Sequence, residues 1–458
     1  MRADVVVVGA GPAGCVMARR LADAGADVVL VEAGDHLASG RAGLLDVGPG
    51  SRVVTRYRAT LGDTSIELPR GRTLGGSGAV NGGYCLPASP ADVAAWGPDW
   101  PRRYAEGLAR AAERLRPRLA PMGPVAAHLA AAFPARVVAV AQARRAGRRV
   151  TAYDAWDPVS AGVRVITGAT VRELRWAGGR PGGRCDGVVL ARRGDGRGGG
   201  SRGGDGRGGE NADGDEITAD EVILCAGAIG SAALLLGSGI GPDTGRPVGR
   251  SVQEHPEVLL DLPAELLAKL PDVEREPADP LVELPALLSH VIGLELPGAR
   301  VGGSKAAAIE VRPYAVPLHR VIPGLDPVSH RIGVALMNPV GRGTVSLRGA
   351  DGSAPEVGIV LANDPRDADA LAAAAELVAD RLGLETAARQ VTVSTSQHLS
   401  GTAQIGEVVD EAGRVLGVEG LRLADASVLP SLPRCGPYYT VLAVAEALAS
   451  RMVAERAW

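Results

Sequence analysis

Lysine and phenylalanine are almost missing from this 458-residue chain: lysine stands only at 269 and 305, and phenylalanine only at 133. Alanine, glycine, arginine and proline abound instead. That bias fits GC-rich coding and excludes little about function. The cysteines Cys15, Cys85, Cys185, Cys225 and Cys435 form no C-x-x-C and no zinc-like spacing. A disulfide scaffold and a metal site are therefore excluded, and reduced thiols in a cytoplasmic protein are expected. The net charge is only −3 and the basic residues are scattered, which argues against nucleic acid as the main ligand. No signal-peptide pattern precedes the first strand. One uncharged run, 222–242, has the length of a membrane span, but it holds five glycines and reads as a strand followed by a helix. No transmembrane span is expected. A chain this long buries a sizeable core, in two domains.

What is present begins with residues 3–34. An apolar strand ends in Gly9-Ala10-Gly11-Pro12-Ala13-Gly14, a helical pattern follows to Gly25, and a second strand ends at Glu32. This is a βαβ unit. Gly9 allows the tight turn, Gly11 lets a pyrophosphate approach, and Gly14 lets helix and strand pack closely. The anion would rest on the helix N-terminus. Glu32 stands where a carboxylate accepts hydrogen bonds from an adenosine ribose. The unit points to an ADP-containing dinucleotide and does not choose between FAD and a nicotinamide.

Residues 35–68 read as loop. The glycine-rich stretch 69–83 brings its backbone close to something, with Ser77 and Asn81 placed to orient a flat polar ring. Helices with arginine-rich outer faces are expected over 104–119 and 125–145. Strands are expected over 163–174, 185–192 and 216–225. Between the last two, 194–214 is a run of Gly, Asp and Arg, expected as a disordered tip without function. A helix is expected over 367–384, and His290, His319 and His330 lack partners at ligand spacing. Near the end, Ser396-Gln397-His398-Leu399-Ser400-Gly401-Thr402 precedes a strand over 421–424, then Asp425, then a helical pattern from Thr440. That helix N-terminus would face a ring that gains negative charge.

The segments GGSGAVN, PADVAAW, CAGAIGS, VGRSVQEHP, GRGTVSLR and H-L-S-G-T resemble the glucose–methanol–choline (GMC) oxidoreductases, and the resemblance runs through nearly the whole chain. It implies a mixed α/β fold: a Rossmann-like, three-layer FAD-binding domain from 1–95, 150–258 and 396–458, and an interleaved α+β substrate domain on an antiparallel sheet from 96–149 and 259–395. It places GRGTVSLR in the sheet that floors the substrate cavity. It implies FAD contacts at Gly9, Gly11, Pro12, Ala13, Gly14, Glu32, Ala33, Arg72, Gly75, Gly76, Ser77, Asn81, Gly82, Gly83, Val171, Ala226, Gly227, Asp425, Ala426, Tyr439 and Thr440. Some members tether FAD through a histidine where this chain has Val80, so FAD is expected to be non-covalent.

Alcohol oxidation removes a hydride from carbon, which flavin takes at N5, and a proton from oxygen, for which histidine is the natural acceptor. The resemblance gives that role to His398. His255 is expected to orient structure near the flavin. The family's second polar group, a histidine or asparagine, falls on Tyr438, which either holds the substrate hydroxyl or walls the cavity. With a reference pKa of about 10, tyrosine is a poor base. GGSGAVNGGY, IEVRPY, IGVALMNP and STSQHLSGTA are further similar to the members encoded with the mycofactocin pathway. This implies reoxidation of reduced mycofactocin, with electrons passing toward the respiratory chain and docking at the inner face of the membrane left open. The alternatives are direct oxidation of a small alcohol, or a lyase or redox-silent FAD protein.

Overall fold

The computed structural model describes residues 1–35, 45–133, 136–145, 148–179, 181–191, 216–270, 288–301, 304–348, 356–361, 364–384 and 392–456. The stretch 194–214 lies outside them. Strand Arg2–Val8 carries Val5, Val6 and Val7, all fully buried, and a run apolar on both faces suits the interior of a parallel sheet. It pairs with Val28–Val31 on one side and Glu216–Leu224 on the other. Arg164–Ile166 extends the sheet beyond Val28–Val31. Glu216–Leu224 is long enough to serve two partners on its far edge. Cys185–Leu190 joins its first half antiparallel, and Leu421–Leu423 joins its second half in parallel. Val171–Trp176 completes this seven-stranded sheet.

Helix Pro12–Asp23 starts with proline at its first position, where the missing N–H costs nothing. It buries Ala13, Cys15, Val16, Met17 and Leu21, and its outer face carries the Arg19–Asp23 pair at 2.8 Å. The last helix, Pro437–Glu455, packs beside it and against Trp100–Leu115. Gly107 makes the second crossing possible, because a Cβ there would lie 2.1 Å from the Ala443 carbonyl oxygen. The Thr151–Asp154 capping box sets the short helix Ala152–Trp156, whose indole donates to Glu446 Oε1 at 2.8 Å.

A six-stranded antiparallel sheet forms the second core. Its order is Thr392–Thr395, Pro256–Asp261, Arg331–Leu336, Ser304–Pro313, His290–Val301, Arg136–Ala139. Helix Pro365–Arg381 covers it with Ala370, Leu371, Ala374 and Val378.

The structure corrects four expectations. The helix expected over 125–145 stops at Ala132, because Phe133 precedes Pro134 and is non-helical; Arg136–Ala139 is a strand, as β-branched Val137 and Val138 favour. Residues 35–68 are not all loop. Val54–Leu61 and Thr64–Gly71 form a hairpin, whose turn holds Gly62 at φ 58°. GRGTVSLR does not enter the six-stranded sheet. Its strand, Thr344–Arg348, pairs with Glu356–Leu361 and through it with the 54–71 hairpin in a separate four-stranded sheet. The final helix begins at Pro437, three residues before Thr440, since proline suits a helix's first turn. No helix among the described residues is long and apolar enough to cross a membrane, and all five cysteines are free and buried.

Candidate active site

The first turn of the βαβ unit is built by backbone contact. A Cβ on Gly14 would stand 1.8 Å from the Gly9 carbonyl oxygen, and one on Gly9, at φ 97°, would stand 2.6 Å from that of Cys225. Both glycines are thus required by packing. Gly11 differs: a Cβ there meets nothing nearer than 3.8 Å, so its side faces room that protein does not fill. Glu32 ends its strand with one carboxylate oxygen accepting from Ala10 N–H (2.9 Å) and the other from Gly34 N–H (2.8 Å). Burial pushes its carboxyl up, and those two N–H groups pull it back. Ala33 accepts from Arg72, which also reaches Thr170 beside Val171.

The glycine-rich segment folds over this turn. Gly75 N–H donates to Ala10 O at 2.8 Å, and a Cβ on Gly76 would lie 2.7 Å from Gly11 Cα. Ser77 accepts from Gly71 N–H, and Asn81 Oδ1 accepts from Gly83 N–H at 2.9 Å, with Gly82 in the turn between. Arg149, which sequence reasoning missed, holds the segment by donating to Gly78 O, Asn81 Oδ1 and Asn81 O. Burial pushes its guanidinium down to about 10.

Three helix N-termini meet here. Gly9 touches Cys225 and Ala226, where helix Gly227–Gly237 begins, and Pro12 and the Tyr438 ring both lie against Gly78. Asp425 Oδ2 accepts from Gly227 N–H (2.7 Å) and Ser231 Oγ (2.6 Å), and Oδ1 accepts from Ser427 N–H. Its side chain therefore locks two elements together. Ala426 gives its carbonyl to Gly401 N–H. Tyr439 and Thr440 face inward, with Thr440 Oγ1 3.5 Å from Tyr104 OH. They offer backbone, not side chains. A glycine turn with open space at Gly11, a carboxylate at a strand end and converging N–H groups fit an ADP-containing dinucleotide.

The catalytic candidates lie at the end of the six-stranded sheet. Pro256 is paired with Thr395, so His255 and His398 emerge from neighbouring strand ends. Gln397 makes the turn at φ 64°, an uncommon conformation for a non-glycine residue, and its side chain takes a hydrogen bond from Arg70. His398 Nδ1 lies 2.9 Å from His255 Nδ1, and its Nε2 lies 3.5 Å from Tyr84 OH. Glu254 Oε1 accepts from both backbone N–H groups, His255 at 2.9 Å and His398 at 2.7 Å. Burial holds both imidazoles well below the usual histidine range, and for His398 the neighbouring His255, Arg312 and Arg70 add to it. Both rings are neutral at pH 7. Burial pushes the Glu254 carboxyl up to about 7, against the pull of Arg70.

Behind the histidines is a buried charge cluster. Arg312 donates to Glu257 Oε2 (2.8 Å), Glu310 Oε1 (2.7 Å) and Ser396 Oγ (2.6 Å), and Tyr314 OH donates to Glu257 Oε1 (2.9 Å). Burial works against the guanidinium's charge, but the two carboxylates outweigh it and keep Arg312 protonated. The alternation Glu310, Arg312, Tyr314 in an otherwise apolar strand was the available signal for a polar face.

Tyr438 is not brought to His398. Its ring packs against Gly78, and no hydrogen bond joins it to either histidine among the described residues. The residue beside His398 is Gly436: a Cβ there would lie 3.3 Å from Nε2 and 3.0 Å from the Tyr84 ring.

Comparison with known proteins agrees with this geometry. The family description "GMC oxidoreductase" matches residues 121–257 and 339–445, and "NAD(P)-binding Rossmann-like domain" matches 7–62. An uncharacterized GMC-type oxidoreductase of Rhodococcus erythropolis is 30% identical over 97% of each chain. A 5-(hydroxymethyl)furfural oxidase of Methylovorus is 30% identical over 51% of each. Among solved structures, pyridoxine 4-oxidase from Mesorbium loti superposes with a TM-score of 0.75 at 22% identity, over 98% of each chain.

Proposed function

This chain belongs to the GMC oxidoreductase family and is an FAD-dependent oxidoreductase acting on CH–OH donors; within that class we propose that His398 is the base that takes the hydroxyl proton. One observation carries the assignment: the 2.9 Å contact between the two Nδ1 atoms, which leaves His398 Nε2 facing the Tyr84 hydroxyl and Gly436. Two Nδ1 atoms at that distance share one hydrogen. If His398 Nδ1 carries it and donates to His255, the His398 Nε2 lone pair is free, and the His255 hydrogen sits on its own Nε2. We infer that His255 accepts in this pair and so holds its neighbour in the basic tautomer, as second partners of catalytic histidines commonly do. Burial keeps the ring neutral and ready to accept.

Gly9, Gly11 and Gly14 with Pro12 and Ala13 would hold the FAD pyrophosphate side, and Glu32, Ala33, Arg72 and Val171 the adenosine side. Gly75, Gly76, Ser77, Asn81, Gly82 and Gly83, held by Arg149, would hold the flavin side, together with the backbone of Ala226, Gly227, Asp425, Ala426, Tyr439 and Thr440. Tyr438 walls that side. Val80 offers no nucleophile, which supports non-covalent binding. When bound, FAD supplies the acceptor for the hydride that leaves the carbinol carbon. The O–H proton goes to His398 Nε2 as the C=O bond forms, so two electrons and one hydrogen leave carbon and one proton leaves oxygen.

The substrate we propose is reduced mycofactocin, with electrons passing on toward the respiratory chain from the cytoplasmic side. The quoted segments GGSGAVNGGY, IEVRPY, IGVALMNP and STSQHLSGTA support this reading. A small hydroxymethyl compound oxidised directly is the second reading. The names of two similar proteins, a 5-(hydroxymethyl)furfural oxidase and a pyridoxine 4-oxidase, favour it. The test is anaerobic bleaching of the flavin absorbance by reduced mycofactocin and by a panel of primary alcohols. Bleaching by mycofactocin alone supports the first reading, and bleaching by a simple alcohol supports the second. A yellow protein that nothing bleaches refutes both.

A further inference from the structure

With Tyr438 turned to the cofactor side, the base has no partner there to hold the substrate hydroxyl. We propose that Tyr84 is that partner: its phenol donates a hydrogen bond to the substrate oxygen while His398 Nε2 takes the proton. The inference rests on the reading of His398 as the base, and three observations carry it.

The first is distance. Tyr84 OH and His398 Nε2 are 3.5 Å apart, at the outer limit for a bond between them. Two groups at that separation can both reach one oxygen at about 2.8 Å, a normal hydrogen-bond length. The second is space. Gly436 lies between the two groups and has no side chain; a Cβ there would crowd Tyr84 Cε2 at 3.0 Å, Tyr84 OH at 3.2 Å and His398 Nε2 at 3.3 Å. The glycine puts no side chain against either group. The third is support. Tyr84 lies in the short strand Tyr84–Cys85, paired with Ala141–Gln142, and its ring rests on Val140, Leu288 and Val291. Those contacts fix the ring, while the hydroxyl has His398 as its hydrogen-bond partner among the described residues.

The chemistry follows. Burial raises the phenol, against the pull of Arg312, so it remains a donor throughout the neutral range. Negative charge builds on the substrate oxygen as its proton moves to Nε2 and before the carbonyl is complete. A fixed O–H donor aimed at that oxygen strengthens as the charge grows, which lowers the barrier. Once the carbonyl has formed the donor meets a neutral acceptor and holds it less tightly.

The test uses the FAD-loaded enzyme and two readouts. The first is the affinity for 2,2,2-trifluoroethanol, a strong hydrogen-bonding alcohol that gives up hydride poorly, followed by the change in flavin absorbance. The second is the rate of anaerobic flavin reduction by the alcohol panel. Tyr84→Phe is expected to keep FAD content and melting temperature, to weaken trifluoroethanol binding about tenfold, as one hydrogen bond of this kind accounts for, and to slow reduction by about 10–100-fold. Gly436→Ala keeps the phenol but crowds it, and it is expected to weaken the same affinity if Tyr84→Phe folds poorly. Unchanged trifluoroethanol affinity in the variants, or no binding of trifluoroethanol to the wild-type enzyme, overturns the proposal. Failure of every alcohol to reduce the wild-type flavin, with affinity still lost in Tyr84→Phe, would instead refute the functional reading and leave Tyr84 as a hydroxyl-binding residue.

Discussion

On the cofactor side the protein presents backbone: glycines at 9, 11, 14 and 76, and the first N–H groups of three helices. Polar side chains such as Glu32, Ser77, Asn81, Arg149 and Asp425 hold that backbone in place by hydrogen bonds. On the substrate side the order is reversed. His255, His398, Glu254, Tyr84, Arg312, Glu257 and Glu310 meet through side chains, and they come from four separate parts of the chain. Backbone recognition suits a ligand whose pyrophosphate is the same in every FAD enzyme. Side-chain recognition can be retuned residue by residue, which suits a substrate that differs between relatives.

The largest effect should come from breaking the backbone side, and two neighbouring glycines should break it differently. Gly14→Ala forces a methyl into the Gly9 carbonyl and is expected to cost about 1–3 kcal/mol or more of stability and to abolish FAD uptake. Gly11→Val should fold, since Gly11 has room, yet still lose FAD because the pyrophosphate needs that room. Melting curves and flavin content separate the two, and a Gly11→Val enzyme with full FAD content would contradict the cofactor assignment. Next comes the substrate side. His398→Ala is expected to stay yellow and to lose about 10²–10⁴-fold in flavin reduction; an unchanged rate removes it from the mechanism.

A fourth substitution asks whether the charge cluster supports the sheet. Arg312→Met leaves Glu257 and Glu310 buried without their cation, and breaking such a pair costs about 3–5 kcal/mol. Denaturant titration should show it, and a variant as stable as wild type would mean that the ion pairs do not support the sheet. The smallest effect concerns pH. The histidines are depressed, so their contribution favours the fold above the ordinary value of about 6.5 and is lost as pH falls below it. Glu254 is raised to about 7, so the native state holds its proton more tightly, and its contribution is present below about 4.5 and lost as pH rises through 7. The two trends oppose each other in the wild type. Glu254→Gln removes one of them, and its melting temperature should rise more steeply with pH between 5 and 7. An identical slope in both proteins would mean that Glu254 does not titrate there.

The same contrast explains what could be read in advance. Backbone sites are written as glycine spacing, so the βαβ unit, the 69–83 segment and the 225–242 turn were visible, and Glu32 with them. Side-chain sites are assembled by topology. His255 and His398 meet only because Pro256 pairs with Thr395, 139 positions later in the chain, and no local pattern announces that register. Tyr84 stood inside a segment already noticed, yet its neighbour Gly436 is 352 positions away. The Tyr438 assignment rested on the family resemblance alone. Starting the helix at Pro437 puts Tyr438 in its first turn, where its ring packs against Gly78, away from His398. The 54–71 hairpin was missed because its strands carry exposed charges and pair with a strand 300 positions later.

The long reach of Glu216–Leu224 has a consequence for how the protein is made. Strand Arg2–Val8 finds its inner partner only at Thr218–Leu224, and that partner gains its last neighbour only at Leu421–Leu423. At roughly 5–20 residues per second, a nascent chain leaves its first strand without this neighbour for about 10–40 s, and the sheet incomplete for about as long again. The glycine turn therefore leaves the ribosome long before helix Pro437–Glu455, which packs beside the helix that the turn opens. FAD is thus expected to load only once that helix has been made, and a chain cut short before it is expected to hold no flavin.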